Sequence, residues 1–284
     1  MVLYAAARFL SFLAHRLPQR SLYAIAVILG DLMYVVWWRA RRNARENMRR
    51  ALGPQASGRV VSRAAREAFC NCMKYYAEFL RGQEHFLGKI DLSGLENVEA
   101  ALTEGKGAIL VGLHMGSLEV AGLSVTQNQY SLNVVVDEKY VNARVNRWIQ
   151  RMRAKLGMTV IAARKEAMPN LVRALKRNEI LALLIDCPHI ANTKVRFCGA
   201  RAKVPGGAAA LAIRTGARIV PAAVIRTKGN RFAAFIDKPL DFQPTGDFSR
   251  DVQTLTQSIM EALEPKVRAY PEQWFMFRRI WVEG

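Results

Sequence analysis

Acid is scarce in this sequence: 23 Asp and Glu stand against 42 Lys and Arg in 284 residues, a formal net charge of +19. Such a surface attracts anions, so nucleic acid, anionic lipid headgroups and phosphorylated substrates are the partner classes that charge admits. Cysteine is scarce too. Cys70, Cys72, Cys187 and Cys198 are too few for a disulfide scaffold at this length and form no C-x-x-C pair, which points to a reducing environment without structural zinc. Ten prolines and 19 glycines exclude a collagen or low-complexity chain, and 51% hydrophobic residues exclude a disordered one. No G-x-S-x-G elbow, H-E-x-x-H, Walker A motif or G-x-G-x-x-G after a strand occurs. A serine hydrolase of the α/β type, a zincin, a P-loop enzyme and a dinucleotide enzyme are therefore set aside. Neither C2H2 spacing nor an RNP-like aromatic block is present, so the basic charge does not read as nucleic-acid binding. Internal repeats and Ser or Gly linkers are absent as well.

What is present begins with an apolar N-terminus. Leu22 to Gly30 is uninterrupted apolar or small, and the run resumes from Leu32 to Trp38 after Asp31. Together the two runs approach the roughly 20 apolar residues a spanning helix needs. Asp31 at mid-span would cost about 2.5 to 3.5 kcal/mol on an insertion scale, so the segment either spans or lies in the interface. Arg39, Arg41, Arg42, Arg45, Arg49 and Arg50 follow at once, as in a juxtamembrane stretch on the cytoplasmic side. Trp37 and Trp38 stand where the apolar run meets charge, as interface anchors do. A secretory signal fits poorly, because the main positive cluster follows the apolar run. The alternative is a core helix followed by a solvated basic one.

From Arg59 to Gln83 the apolar positions Val61, Ala65, Phe69, Met73 and Tyr76 recur at helical spacing, predicting an amphipathic helix. Beyond Gly94 the pattern changes to short apolar runs. Residues 107–113, 132–136, 158–162, 180–185, 219–225 and 232–236 read as strands, most of them buried on both faces. Between them, Val141, Val145, Trp148, Ile149, Met152 and Leu156 form a helical stripe whose opposite face carries Arg144, Arg147, Arg151 and Arg153. Residues 167–177 and 206–215 are further helices, the second entered through Pro205. Strands alternating with helices predict an α/β fold with a mixed, largely parallel sheet flanked by helices. The expected organisation is a membrane-associated helical segment over 1–40, basic and amphipathic helices over 41–90 packing on the core, and a catalytic α/β domain over 91–284.

The segment Gly112 to Glu119, GLHMGSLE, falls where the first of these strands ends and a helix begins. Sites in such sheets collect at the carboxyl ends of strands. His114 would then sit in the loop with Glu119 about one turn into the helix, so that the two side chains meet around Gly116. An imidazole fixed in one tautomer by a carboxylate is a general base for a hydroxyl. The other reading is a satisfied structural histidine. Cys187 reads as a buried, inert thiol more readily than as a nucleophile.

HMGSLE resembles the H-x4-D/E signature of acyltransferases, and in particular the H-F-G-N-W-E form of the bacterial lipid A biosynthesis acyltransferase family, the late lauroyl or myristoyl transferases. The likeness continues along the chain. RRNARENMRRALG (Arg41 to Gly53) resembles the family's basic R-x-N-L-x-x-A-L-G segment, and AAREAFCNCMKYYAEFLR the helix after it. LLIDCPHIANTKVRFCGARAKVPGGAAALAIRTGARIVP resembles the L-x-D-Q to T-G-A-x-x-x-P block, and YPEQWFMFRRIW the P-E-Q-W to R-R-W close. The sequence departs from the pattern at Ser117, Leu118 and Cys187. Its Val136-Asp137-Glu138-Lys139 is closer to the V-A-E-R form of the phosphatidylinositol mannoside branch.

The resemblance implies a glycerolphosphate-acyltransferase-like fold and direct transfer of a fatty acyl group from a thioester, on acyl carrier protein or coenzyme A, to a hydroxyl of a lipid A precursor or related glycolipid. A phosphatidylinositol mannoside or lysophospholipid acceptor is the alternative. It casts His114 as general base with Glu119 as its partner, and Asp186 as an organiser of the site. Lys139 and Arg278 are cast as substrate-binding cations, and Ser117 as either an oxyanion donor or a turn residue. No cofactor and no metal are expected. The partners are membrane lipids, the acyl carrier and the glycolipid acceptor, on the cytoplasmic face of the bacterial inner membrane.

Overall fold

The structure is a computed structural model and describes residues 2–136, 142–163 and 167–282. Helices α1 (Val2–Arg16), α2 (Gln19–Val36), α3 (Trp38–Leu52) and α4 (Gly58–Arg81) come first. α2 is long and apolar enough to cross a membrane by length and composition, which is consistent with membrane association. It nevertheless has a protein partner: Leu22, Tyr23, Ala26 and Gly30 form a buried stripe along it, and its packing is against α4. Asp31, costly in lipid on its own, accepts from Nε and Nη2 of Arg66 on α4, at 2.6 and 2.5 Å. The outer face keeps Ile28, Val35 and Val36 between 64 and 68% exposed.

α4 buries Val61, Ala65 and Phe69 as their spacing predicts. Past Met73 the stripe rotates. Tyr76, expected to face inward, is 52% exposed, and the inward position goes to Glu78. Glu78 forms a buried ion pair with Arg226 at 2.6 Å, accepts a hydrogen bond from the Tyr23 hydroxyl at 2.7 Å, and so ties α2 and α4 to the sheet. Burial and the adjacent carboxylate push the Tyr23 hydroxyl far above its ordinary value, so it remains a donor.

The sheet contains β1 (Ile90–Ser93), β2 (Ala108–Gly112), β3 (Leu132–Val136), β4 (Met158–Ala162), β5 (Ile180–Leu184), β8 (Arg218–Arg226) and β9 (Phe232–Ile236) in the order β1-β9-β8-β2-β5-β3-β4. Every neighbouring pair is parallel except β8 with β9, so the sheet is mixed and mostly parallel. α5 (Leu95–Leu102) and α6 (Leu118–Thr126) cover one face. α8 (Met168–Lys176), α9 (Gly207–Thr215) and α10 (Phe248–Ala269) cover the other, and α7 (Ala143–Lys155) lies beside β4. Ala108, Leu110, Ile180 and Val220 pack on the α5 side, while Ile109, Val111, Leu181 and Ile219 pack in the larger core opposite. That two-sided burial is why these strands read as continuous apolar runs.

β1, α5, α10 and a hairpin lie outside the strands and helices that the sequence pattern predicts. β6 (Thr193–Phe197) and β7 (Ala200–Val204) form a separate antiparallel hairpin. Its turn residues Cys198 and Gly199 both have positive φ, 48° and 76°, as a two-residue hairpin turn of matching twist demands. α10 is capped by the Asp247 carboxylate, which accepts from the backbone N–H of Ser249 and Arg250, each at 3.1 Å. It packs over this hairpin and α9.

Candidate active site

The central strands position the site. β2 leads through α6 to β3 on one side, whereas β5 leads back across β2 to β8, so the chain diverges in opposite directions at their carboxyl ends and leaves a crevice there. Gly112 is paired with Leu184 in the parallel register, and the Ile185 N–H donates to the Gly112 carbonyl at 3.0 Å. His114 and Asp186 each lie two residues further on. The register itself therefore brings the imidazole and the carboxylate side by side.

The carboxylate that meets His114 is Asp186, not Glu119 as the H-x4-E spacing suggests. Asp186 Oδ1 lies 2.7 Å from His114 Nδ1, and Oδ2 accepts from the His114 backbone N–H at 3.0 Å. Oδ2 also accepts from the indole Nε1 of Trp274 at 3.0 Å. A carboxylate can only accept, so Nδ1 carries a proton and Nε2 of the neutral ring is left as an acceptor. Asp186 has no side-chain exposure, while the imidazole is 38% exposed and within reach of a substrate. Burial alone would lower the His114 value. The charge and hydrogen bond of Asp186 overcome that and hold it above the ordinary 6.5, against repulsion from Arg278. Burial pushes the Asp186 carboxyl up, and the interactions with His114 and Trp274 outweigh it, leaving the group below its usual range.

Glu119 is occupied elsewhere because α6 begins at Leu118, placing it in the first helical turn with its side chain 4% exposed. It receives Arg153 Nη2 at 2.5 Å and Nε at 3.1 Å, and the Tyr75 hydroxyl at 3.4 Å. Arg153 was assigned to the solvent face of α7 by its arginine neighbours, but it is turned inward with 18% side-chain exposure. Ser117 is buried at the start of α6 and makes no cap hydrogen bond. Gly116 has φ +66° and a Cβ there would run into the Val224 carbonyl, so the loop tolerates no side chain at that point. Arg278 lies close enough to oppose protonation of His114. Lys139 lies outside the described residues.

The sequence pattern assigns no site role to Arg153 or Trp274, and reads Tyr75 only as one of a helical aromatic stripe that is core or lines a lipid chain, not as a partner of Glu119. Trp274 stands in a quoted motif without such a role, and only the folded chain shows its indole on Asp186. Cys187, beside Asp186, brings its thiol into the same cluster. Its Sγ, a ring nitrogen of His114 and a carboxylate oxygen of Asp186 lie within 4.8 Å of one another.

Beneath the loop runs a narrow apolar cavity of about 160 Å³, lined by Leu113 and Met115 on either side of His114, by Ala182, Ala222 and Ala234 in the sheet, and by Gly122 of α6. Leu132 and Met158 also line it. In the register they stand level with Ala108, four residues below Gly112, or about 13 Å along the strands.

An imidazole so held, beside a lined apolar cleft, can deprotonate a hydroxyl next to a hydrocarbon chain. The chain is similar to known acyltransferases. Phosphatidylinositol mannoside acyltransferase of Mycolicibacterium smegmatis is 25% identical over 246 residues, covering 84% of this chain and 78% of the relative. The enzyme of that name from Mycobacterium tuberculosis is 26% identical over 250 residues, covering 84% and 76%. The family described as bacterial lipid A biosynthesis acyltransferase matches residues 2–283. With nearly the whole length matched, this chain belongs to the bacterial lipid A biosynthesis acyltransferase family and is an enzyme that transfers acyl groups.

Proposed function

We propose that the protein transfers a fatty acyl group from a thioester on acyl carrier protein or coenzyme A to a hydroxyl of a membrane glycolipid, a lipid A precursor or a related acceptor. The observation that carries this reading is the part-exposed imidazole of His114 backed by the buried carboxylate of Asp186, on a loop whose flanking residues Leu113 and Met115 line an apolar cavity. Nε2 takes the acceptor proton as its oxygen attacks the thioester carbonyl. The imidazolium is stabilised by Asp186 and returns the proton to the departing thiolate. The acyl chain lies in the cavity, Ser117 is the candidate donor to the tetrahedral oxyanion, and Arg278 and Lys139 are candidates for binding substrate phosphate. Glu119 serves this site by holding Arg153 at the cavity wall, where both residues lie.

Phosphatidylinositol mannoside is the second acceptor, favoured by the names of the mycobacterial relatives. The outer faces of α1 and α2, with Phe9, Phe12, Ile28 and Val35 exposed, would rest in the acyl boundary of the inner membrane's cytoplasmic leaflet, with the α3 arginines at its headgroups. Purified protein given acyl carrier protein or coenzyme A thioesters of several lengths, with lipid A precursor, phosphatidylinositol mannoside and lysophospholipid in separate vesicles, tests the reading by mass spectrometry of the products. Acylation of one glycolipid, lost in His114→Ala, is expected. Hydrolysis of the thioester without transfer to any acceptor would contradict it.

A further inference from the structure

The chain's last segment closes over the site from behind. The Gly116 N–H donates to the Gln273 carbonyl at 3.0 Å and the Phe275 N–H to the His114 carbonyl at 2.7 Å, while Met115 and Trp274 form an isolated antiparallel bridge. Gln273 is itself fixed, since its side chain accepts from the Arg226 N–H at 2.7 Å and donates to the Arg226 carbonyl at 2.9 Å. The backbone of 273–275 thus acts as an extra strand for residues 114–116. Trp274 is fully buried, with its ring edge-on to Phe197, so its indole has one position. From there Nε1 meets the same Asp186 oxygen that receives the His114 backbone N–H.

We propose that Trp274 is a positioning residue for acyl transfer: its indole N–H fixes the Asp186 carboxylate in the one rotation that lets Oδ1 orient the imidazole of His114. The proposal rests on His114 being the base. Asp186 has two oxygens and three donors, two of them from His114. Without the indole, nothing outside the histidine's own residue holds the carboxylate among the hydrogen bonds described. The other titratable groups brought against the pair are Arg278, which opposes a charge on His114, and the Cys187 thiol.

Trp281 supplies a matched control. It is also buried, stacks on the same Phe197, and donates its indole N–H to Asn47 Oδ1 at 2.6 Å instead of to Asp186. Trp274→Phe and Trp281→Phe each remove one indole donor from one aromatic cluster. The measurement is the pH profile of kcat/KM for thioester-dependent acylation. Losing the indole donor makes the Asp186 carboxylate more basic, so it favours the imidazolium more. Trp274→Phe should therefore move the acid limb up by about half to one pH unit, and lower kcat about tenfold with little change in KM. Trp281→Phe should leave the limb in place. Should Phe fail to fill the site, replacing the Trp274 indole by the isosteric benzothiophene of 3-benzothienylalanine keeps ring size and removes the N–H, and the same shift is expected. An acid limb that stays put in the folded donor-free protein, or moves equally in both Phe variants, overturns the proposal. His114→Ala separates the two claims: inactive, it leaves the base reading standing whatever Trp274 does, and active, it removes that reading.

Discussion

Asp186 grips His114 twice, at the ring through Nδ1 and at the backbone through N–H, at 2.7 and 3.0 Å. A single carboxylate thereby sets both the tautomer of the base and the turn that presents it. Because Asp186 raises the His114 value, the acid limb of kcat/KM for the native enzyme should lie above pH 6.5: below it the ring is an imidazolium and cannot accept a proton. Asp186→Asn removes the charge but leaves the burial, so the limb should fall below that value while kcat drops roughly 10²-fold or more. A limb left unmoved by Asp186→Asn would show that the pair does not titrate as a base.

The Glu119–Arg153 pair makes a different prediction. Both side chains are largely buried, and removing one partner strands the other charge, which typically costs about 3–5 kcal/mol. Glu119→Gln should lower the melting temperature measurably and reduce kcat, yet leave the acid limb where Asp186 holds it. A downward shift of that limb in Glu119→Gln would restore Glu119 as the imidazole's partner.

Much of this architecture was legible because strand burial and helix periodicity are local properties. The six runs read as strands are strands, since each is an apolar segment bounded by turn residues. Pairing is not local. His114 and Glu119 are near in sequence and suit a turn, whereas His114 and Asp186 meet only because β2 and β5 are neighbours in a particular register. Arg153 reads as one more solvated arginine among Arg144, Arg147 and Arg151, and no periodicity reveals the Glu119 carboxylate that meets it from the first turn of α6. The hairpin was written in the alternation of Lys194, Val195, Arg196 and Phe197, with Cys198-Gly199 as its turn. That alternation is only five residues long on each side and lies inside a longer family motif, so it carries a weak strand signal.

Membrane binding should depend on the outer face of α2. Ile28 and Val35 are 67 and 64% exposed, so Ile28→Glu with Val35→Glu leaves the fold intact and should weaken cosedimentation with anionic vesicles at least tenfold. High salt should weaken the native protein's binding only in part, since the apolar contribution persists when the arginines of α3 are screened. Complete release by salt alone, with the double variant binding normally, would place the attachment in the charge.

The cavity floor should set acyl length. A Cβ at Gly122 would collide with the Met158 thioether, and Met158 stands at the end of the cavity furthest from His114. Met158→Ala should shift the preferred donor to a longer chain, each added methylene being worth about 0.8 kcal/mol when buried. Gly122→Ala should shift it shorter. Competition between thioesters of graded length reads both, and unchanged preference in both variants would place the acyl chain elsewhere.

His114 and Asp186 should behave as one catalytic unit, and a double-mutant cycle on kcat for acyl transfer tests this most directly. His114→Ala should cost about 10² to 10⁴ in rate. Adding Asp186→Asn to His114→Ala should cost little more, because the carboxylate acts only through the imidazole. Losses that multiply in the double variant, or a folded His114→Ala protein with near-native transfer, would contradict it.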